Sequence, residues 1–252
     1  MIRVLRLSML LAVAALAAAC SGASDEARTD PAATTAATEP AETATEQGAA
    51  PVPRPDGALK RAVAAARADD ARALWELLSV PTRERMGPSF ARFRRGAAPG
   101  LRTTLASFAR GRARVFLAER VTEEFAVAAY GGRLAEGPHA AFATALRLED
   151  GAWKLELGGP VQLEALVPDP GEIERRATGA QLAAGIVADA AIREGGLWID
   201  GRSVPGKSGG TDERNITIFS DPFEFERGPH AAVAFASTAF DASALAWMFT
   251  VR

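Results

Sequence analysis

The stretch FATALRLEDGAWKLEL, residues 142–157, carries the strongest structural signal in the sequence. Its Asp-Gly dipeptide at 150–151 favours a two-residue type I′ turn between antiparallel strands. With that turn, apolar side chains of the two strands face each other on one side of the hairpin. The apolar pairs are Leu148 with Trp153 and Leu146 with Leu155. Because a shift of one residue would turn all of them to the other face, this pattern predicts the register.

The segments before the hairpin change from helical to strand-like periodicity. Residues 57–79 have apolar positions at helical spacing, with a break predicted at Asp69-Asp70. Further short helices are predicted after Pro81, at 90–95 and at 101–108. Strands are predicted at 114–121 and 124–130. Helices followed by an antiparallel sheet are typical of an α+β domain.

These elements resemble the NTF2-like (cystatin-type cone) domain over residues 57–160. The resemblance lies in ALKRAVAAARADDARALWELLS at 58–79 and in the closing hairpin ALRLEDGAWKLEL at 145–157. It implies a curved sheet that wraps a long helix and leaves a cavity. Enzymes of this family set a carboxylate base against a Tyr or His, and no Asp of this sequence takes an evident inward position. The residues expected to line the cavity are Tyr130, His139 and Trp153.

The second half of the chain is predicted to be all-β. Residues 161–171 are predicted to form an extended connector, because proline punctuates them. Short strands separated by turn residues favour a sandwich. The predicted strands are 182–188, 196–200, 215–219, 223–226, 230–237 and 245–251. Alternation predicts that Trp247 and Phe249, and likewise Val233 and Phe235, point inward.

Residues 178–252 resemble bacterial Ig-like modules. The resemblance lies in AGIVADAAIREGGLWIDG at 184–201 and GPHAAVAFASTAFDASALAWMFTV at 228–251. It rests on a strand that ends in Asp-Gly, a Gly-x-His opening and a final Trp-x-Phe-x-Val strand, without the cysteine pair of antibody domains. The predicted fold is therefore an α+β NTF2-like domain at 57–160, followed at 161–252 by a connector and an all-β Ig-like sandwich.

The N-terminus has the layout of an export signal. Arg3 and Arg6 precede the apolar run LLAVAALAAAC at 10–20, which ends in small residues. A membrane span needs about 20 apolar residues, so this run is too short to be one. The sequence LAAAC at 16–20 resembles a bacterial lipobox, with Ala17 where Leu is commoner. The resemblance implies that residues 1–19 are a lipoprotein signal peptide and that Cys20 is diacylated as the new N-terminus.

Residues 20–56 are predicted to form a disordered tether. They contain Ala, Thr, Glu and Pro but no aromatic residue, Leu, Ile or Met, so they cannot bury a core. A flexible coil of this length averages roughly 30–35 Å end to end, which would lift a domain clear of the lipid surface. A Thr-rich O-glycosylated stalk is compatible with the same composition.

Basic residues are concentrated in one part of the chain. Residues 57–160 hold 17 basic and 11 acidic residues, whereas residues 161–252 hold 8 and 13. Residues 83–114 contain nine arginines and one acid, Glu84. This run indicates either contact with anionic lipid headgroups or wall polymers, or a solvated face that pairs with acids of the same chain. Nucleic acid is not an expected partner outside the cell.

Two further patterns resemble chemical motifs without meeting their requirements. GRSVPGKS at 201–208 matches a phosphate-binding loop, but Gly209-Gly210 follows where a helix should begin, so a flexible loop and no nucleotide are predicted. His139 and His230 are two ligands in two domains, which do not make a metal cage. GxSxG, HExxH and cysteine–histidine arrangements are absent from the sequence. We therefore predict no catalytic residue, no cofactor and no metal.

The sequence predicts a non-enzymatic binding or scaffolding module of the bacterial cell envelope. It would be extracytoplasmic and anchored to membrane lipid through acylated Cys20, with an envelope protein or an anionic wall polymer as partner. The alternative is a small-ligand carrier or an enzyme that uses the cavity of the cone. Polar side chains converging inside the cone would favour the alternative, and an interior filled by Leu, Phe and Trp would favour the first interpretation.

Overall fold

The computed structural model describes residues 53–134, 137–168, 170, 173–174, 180–222 and 224–252. Cys20, the signal segment and nearly all of the tether lie outside the described residues. The described part of the chain is rich in β-structure, with sheets that are almost wholly antiparallel and five short helices. No helix within it is both long and apolar enough to cross a membrane.

The helices occupy the N-terminal part of the folded region. Their bounds are α1 Asp56–Arg67, α2 Ala71–Leu77, α3 Val80–Met86, α4 Phe90–Arg95 and α5 Ala97–Ala109. The break predicted at Asp69-Asp70 is confirmed, since Asp69 has φ of 60° and Asp70 caps the next helix. The Asp70 carboxylate accepts hydrogen bonds from the backbone N–H groups of Arg72 and Ala73, which start α2.

The first sheet follows the helices in strand order β1-β2-β3-β4. Its strands are β1 Arg114–Arg120, β2 Phe125–Arg133, β3 His139–Glu149 and β4 Ala152–Glu156. The predicted hairpin register is confirmed: Leu146 pairs with Leu155, and Leu148 pairs with Trp153. The turn residues at 150 and 151 have φ of 50° and 74°, as a type I′ turn requires.

The rest of the chain forms two sheets. The second sheet has the order β10-β11-β7-β5, and the third sheet has the order β6-β13-β12-β8-β9. The strands are β5 Gln162–Val167, β6 Ile173–Glu174, β7 Ala183–Val187, β8 Glu194–Ile199, β9 Arg202–Val204, β10 Gly206–Asp212, β11 Asn215–Ser220, β12 Gly228–Ser237 and β13 Ala242–Val251. β6 pairs with β13 in parallel, and the other pairings in these two sheets are antiparallel.

Three predictions about this half were wrong. The expected connector contains β5, which pairs with β7 along most of its length. The segment 201–208, expected to be a flexible loop, instead contains β9, which pairs with β8, and the first residues of β10, which pairs with β11. No strand forms at residues 224–226.

The layers run in the order helices, first sheet, third sheet, second sheet, with an apolar core between each pair. The helices and one face of the first sheet enclose the first core, and the second and third sheets enclose the second core. A middle core joins the other face of the first sheet to the third sheet. It contains Phe125, Val127, Ala129, Trp198, Val233 and Phe235. The boundary predicted at residue 160 falls between β4 and β5 and stays a prediction, since both halves share this core.

The faces of strand β12 also differ from the prediction. Val233 and Phe235 point into the middle core, whereas Ala232 and Ala234 point into the sandwich. The expected inward direction of Val233 and Phe235 was therefore wrong, while Trp247 and Phe249 of β13 do face the sandwich. A central strand covered on both faces carries apolar residues at every position, so alternation alone cannot assign its faces.

A charged network also joins the two halves. The fully buried carboxylate of Glu156 accepts hydrogen bonds from Arg85 Nη2 at 2.5 Å and from Arg147 Nε at 2.9 Å. Arg85 Nη1 also lies 3.0 Å from Asp241 Oδ1, in the turn between β12 and β13. Arg147 donates to the carbonyl oxygen of Phe240 in the same turn. Two cations and two anions are thus matched at this junction.

Candidate functional site: a basic cleft

A cleft of about 560 Å³ opens where the end of the first sheet meets the turn between β8 and β9. Its basic lining comes from Arg112, Arg114, Arg133 and His139. Apolar walls are supplied by Phe116 and by residues of the third sheet. The cleft is thus a concave, positively charged surface with an apolar side, which is the general character of an anion-binding site.

The strand register brings these residues together. Arg114 pairs with Gly131 across β1 and β2, and Arg133 pairs with His139 across β2 and β3. Directly paired residues of an antiparallel sheet point to the same face, so these basic side chains share the face turned away from the helices. The Arg112 backbone N–H donates to the Arg133 carbonyl at 2.9 Å, which extends the cluster two residues beyond the start of β1.

Glycines allow the close approach that shapes the cleft. The register of β1 shifts between Val115 and Leu117, and the Phe116 ring lies over Gly131. A Cβ at Gly131 would lie 2.8 Å from Phe116 Cε1, and one at Gly201 would lie 2.1 Å from the Phe116 carbonyl oxygen. Gly201, which has φ of 83°, therefore needs to be glycine, and it lets the β8–β9 turn rest directly against the bulge of β1.

Among the described residues, carboxylates neutralise little of the charge of the cleft. Arg112, Arg114 and Arg133 are exposed, and within the described ranges none of them forms an ion pair with a carboxylate. One acid, Asp200, borders the cleft, but its carboxylate is already engaged. Asp200 Oδ2 lies 2.7 Å from His230 Nδ1, and Oδ1 accepts from the Ala231 N–H at 2.9 Å.

A second concavity adjoins the first. It measures about 420 Å³ and is lined by Arg110, Gly111 and Leu134 together with Arg112 and Arg133, which border both spaces. The basic surface therefore continues past one side of the cleft. Guanidinium groups present fixed forks of N–H donors that match phosphate and carboxylate oxygens, so the arrangement can hold anions by paired hydrogen bonds.

The three residues expected to line a cavity do not lie together. Trp153 is 1% exposed in the first core, where its Nε1 donates to the Pro53 carbonyl at 2.7 Å. Tyr130 is half-buried on the same side of the sheet, with its ring 5.9 Å from that of Phe108. His139 lies on the opposite face, in the basic cleft. The sheet thus separates His139 from Tyr130, so the two cannot act on one substrate atom.

Other sequence motifs have structural positions of their own. Lys207 of the phosphate-loop pattern lies in strand β10, and its Nζ is 3.1 Å from Asp221 Oδ1. A phosphate cradle needs a helix that begins at this lysine, which the strand replaces. His230 is buried between the Asp200 carboxylate and the Glu226 carbonyl. In the part of the chain that is described, no three His, Cys, Asp or Glu side chains are grouped to hold a metal ion.

Sequence reasoning identified part of the cleft and missed the rest. Arg112 and Arg114 belong to the arginine-rich run, and His139 was a candidate residue. Arg133 lies outside that run, and its position beside Arg112 depends on the register between β1 and β2. The bulge in β1 shifts this register, and no local residue pattern predicts the bulge. The approach of the β8–β9 turn involves a contact between distant parts of the chain, which periodicity cannot reveal.

No family model and no curated protein matches the sequence. We therefore infer the function from the residues themselves.

Proposed function

We propose that this protein is a lipid-anchored, extracytoplasmic binding module of the bacterial cell envelope, without enzymatic activity. The observation that carries the proposal is the lipobox-like LAAAC at 16–20 followed by the polar, core-less segment 21–56. Such a segment suits a tether between an acylated Cys20 and a folded body. A single acyl chain holds a protein to a membrane only marginally, whereas two chains hold it stably.

The proposal includes the two fold assignments made from sequence. Five short helices covering one face of a four-stranded antiparallel sheet are compatible with an NTF2-like part at 57–160. Two antiparallel sheets that enclose the second core are compatible with an Ig-like sandwich at 161–252. Both parts would act as one rigid head on the tether, since they share the middle core.

A binding role is favoured over a carrier or an enzyme by what fills the first core. The space between the helices and the first sheet is occupied by tightly buried apolar side chains. They include Leu59, Leu74, Phe93, Leu105, Leu146 and Trp153. Because apolar side chains fill this space, we assign binding to the outer surface, where the basic cleft forms a charged concavity.

The anchor is tested by the variant Cys20→Ala expressed in a bacterium that processes lipoproteins. We expect the variant to leave the membrane fraction or to accumulate as the uncut precursor, because the acceptor of the acyl chains is gone. Cell fractionation followed by immunoblotting measures both outcomes. Ser21→Ala is the matched control and is expected to stay in the membrane at mature size. If Cys20→Ala also fractionates with membranes at mature size, the anchor assignment is wrong.

A further inference from the structure

We propose that the basic cleft binds a ligand carrying two or more phosphate groups along one chain, that is, a segment of a linear phosphate polymer. The proposal deepens the binding role above and rests on it for the compartment in which such a ligand is met. It adds the site, the residues and the chemical class. The residues are Arg110, Arg112, Arg114, Arg133 and His139.

The number of charges argues for a ligand with several anionic groups. One phosphate engages one or two guanidinium groups through paired hydrogen bonds. Here four arginines line two adjoining concavities, and Arg112 and Arg133 belong to both. A ligand that filled only one concavity would leave cationic groups of the other unused. A chain with repeated anions can engage Arg114 on one side and Arg110 on the other.

The chemistry of the donors suits phosphate groups. Arginine forks match the free oxygens of a phosphate group and remain charged at any physiological pH. His139 stands opposite Arg133 in the register and adds a further N–H donor. The Phe116 ring and the Met248 side chain form an apolar wall beside these donors.

The shape of the site argues for a chain rather than a membrane. The exposed basic side chains line a concavity between the first and third sheets, whose lining also includes Asp200 of the β8–β9 turn and Pro229. The second concavity continues this basic lining through Arg112 and Arg133. A single flexible chain can follow two adjoining concavities, whereas a flat array of lipid headgroups cannot enter them. The cleft therefore suits a polymer segment, and contact with anionic lipid becomes an outcome that the test can reveal.

The test measures binding of short linear polyphosphate to the full chain carrying Cys20→Ala, which cannot be acylated. Fluorescence anisotropy or calorimetry at low and physiological salt gives the dissociation constant. We expect measurable binding that weakens steeply with salt, as counterion release requires. Inorganic phosphate alone is expected to bind at least tenfold more weakly than the polymer, because it engages only part of the site.

Paired variants locate the site. Arg112→Ala with Arg133→Ala is expected to weaken polyphosphate binding about a hundredfold, at roughly tenfold for each lost charged hydrogen-bonding group. The control is Arg94→Ala with Arg95→Ala, which removes the same charge from exposed positions of α4 away from the cleft. Its expected effect is less than about threefold, since distant surface charges are screened.

Four results would overturn the proposal. They are no polyphosphate binding at low salt, equal losses in the two double variants, inorganic phosphate binding as tightly as the polymer, and cleft-dependent binding to phosphatidylglycerol vesicles without binding to polyphosphate. None of them depends on the anchor, because the chain used here cannot be acylated. The polyphosphate experiment thus tests the cleft, and the fractionation experiment tests the anchor.

Discussion

Replacing Trp153 by alanine is expected to lower the free energy of unfolding by about 3–5 kcal/mol, which is the range for large truncations in a core. The side chain is 1% exposed and is one of the largest fully buried side chains of the first core. Its Nε1 also donates to the Pro53 carbonyl, so the indole holds the segment just before α1 against the sheet. Urea unfolding of the full chain, followed by circular dichroism, measures the change.

Two controls separate the contributions of Trp153. Trp153→Phe keeps most of the apolar volume and loses the hydrogen bond to Pro53, so we expect a smaller loss of about 1–2 kcal/mol. Phe240→Ala removes a ring that is 71% exposed and should change stability by less than about 0.5 kcal/mol. A loss below about 1 kcal/mol for Trp153→Ala would contradict burial of the indole and would favour an open pocket beside it.

The substitution Glu156→Gln is expected to destabilise the protein by about 3 kcal/mol, through charge rather than volume. The carboxylate is fully buried and holds both Arg85 and Arg147. Removing its charge leaves Arg147 without an anionic partner in a mostly buried site, and breaking buried pairs in this way typically costs about 3–5 kcal/mol. We expect the lower end because Arg85 keeps its contact with Asp241.

The control for Glu156 is the exposed pair of Arg72 and Glu76 on α2, whose Nε and Oε1 atoms lie 3.0 Å apart. Glu76→Gln should cost no more than about 0.5 kcal/mol, because solvent screens such pairs. Adding Arg147→Met to Glu156→Gln should recover part of the loss, since the uncompensated cation is then removed. Equal, small effects of Glu156→Gln and Glu76→Gln in urea unfolding would show that the network does not stabilise the junction.

The elements that the sequence predicted well are those whose signals are local. The turn at 150–151 and the apolar pairs beside it determine the hairpin within sixteen residues, and the structure has the predicted register. The break after α1 follows from Asp70, whose side chain can cap a helix wherever the chain folds. In both cases the deciding contacts lie within a few residues of one another, so neighbouring sequence is enough.

The elements that were missed depend on distant contacts. β10 has three glycines in seven residues and no apolar alternation, so only its pairing with β11 makes it a strand. β12 is apolar at nearly every position because the first sheet covers the face that a free sandwich would expose to water. For the same reason, an isolated 57–160 fragment would expose Phe125, Val127 and Ala129.

Only part of the candidate site could be predicted from the sequence, again because contacts between distant residues form the rest. The arginine-rich run indicated an anionic partner, but it extends over residues 83–114, and its members have different surroundings. Arg85 is used in the buried network, and Arg102 pairs with Asp69. Arg112 and Arg114 are left for the cleft, where Arg133 and His139 join them through strand pairing.

The most direct test of the proposed function is the mass of the N-terminal peptide of the protein recovered from bacterial membranes. We expect a mature chain that begins at Cys20, with residues 1–19 removed and the cysteine carrying diacylglycerol, seen as a lipid-sized mass increase after proteolysis. An N-terminus elsewhere, or a peptide in which Cys20 is present and unmodified, would contradict the proposed lipid anchor.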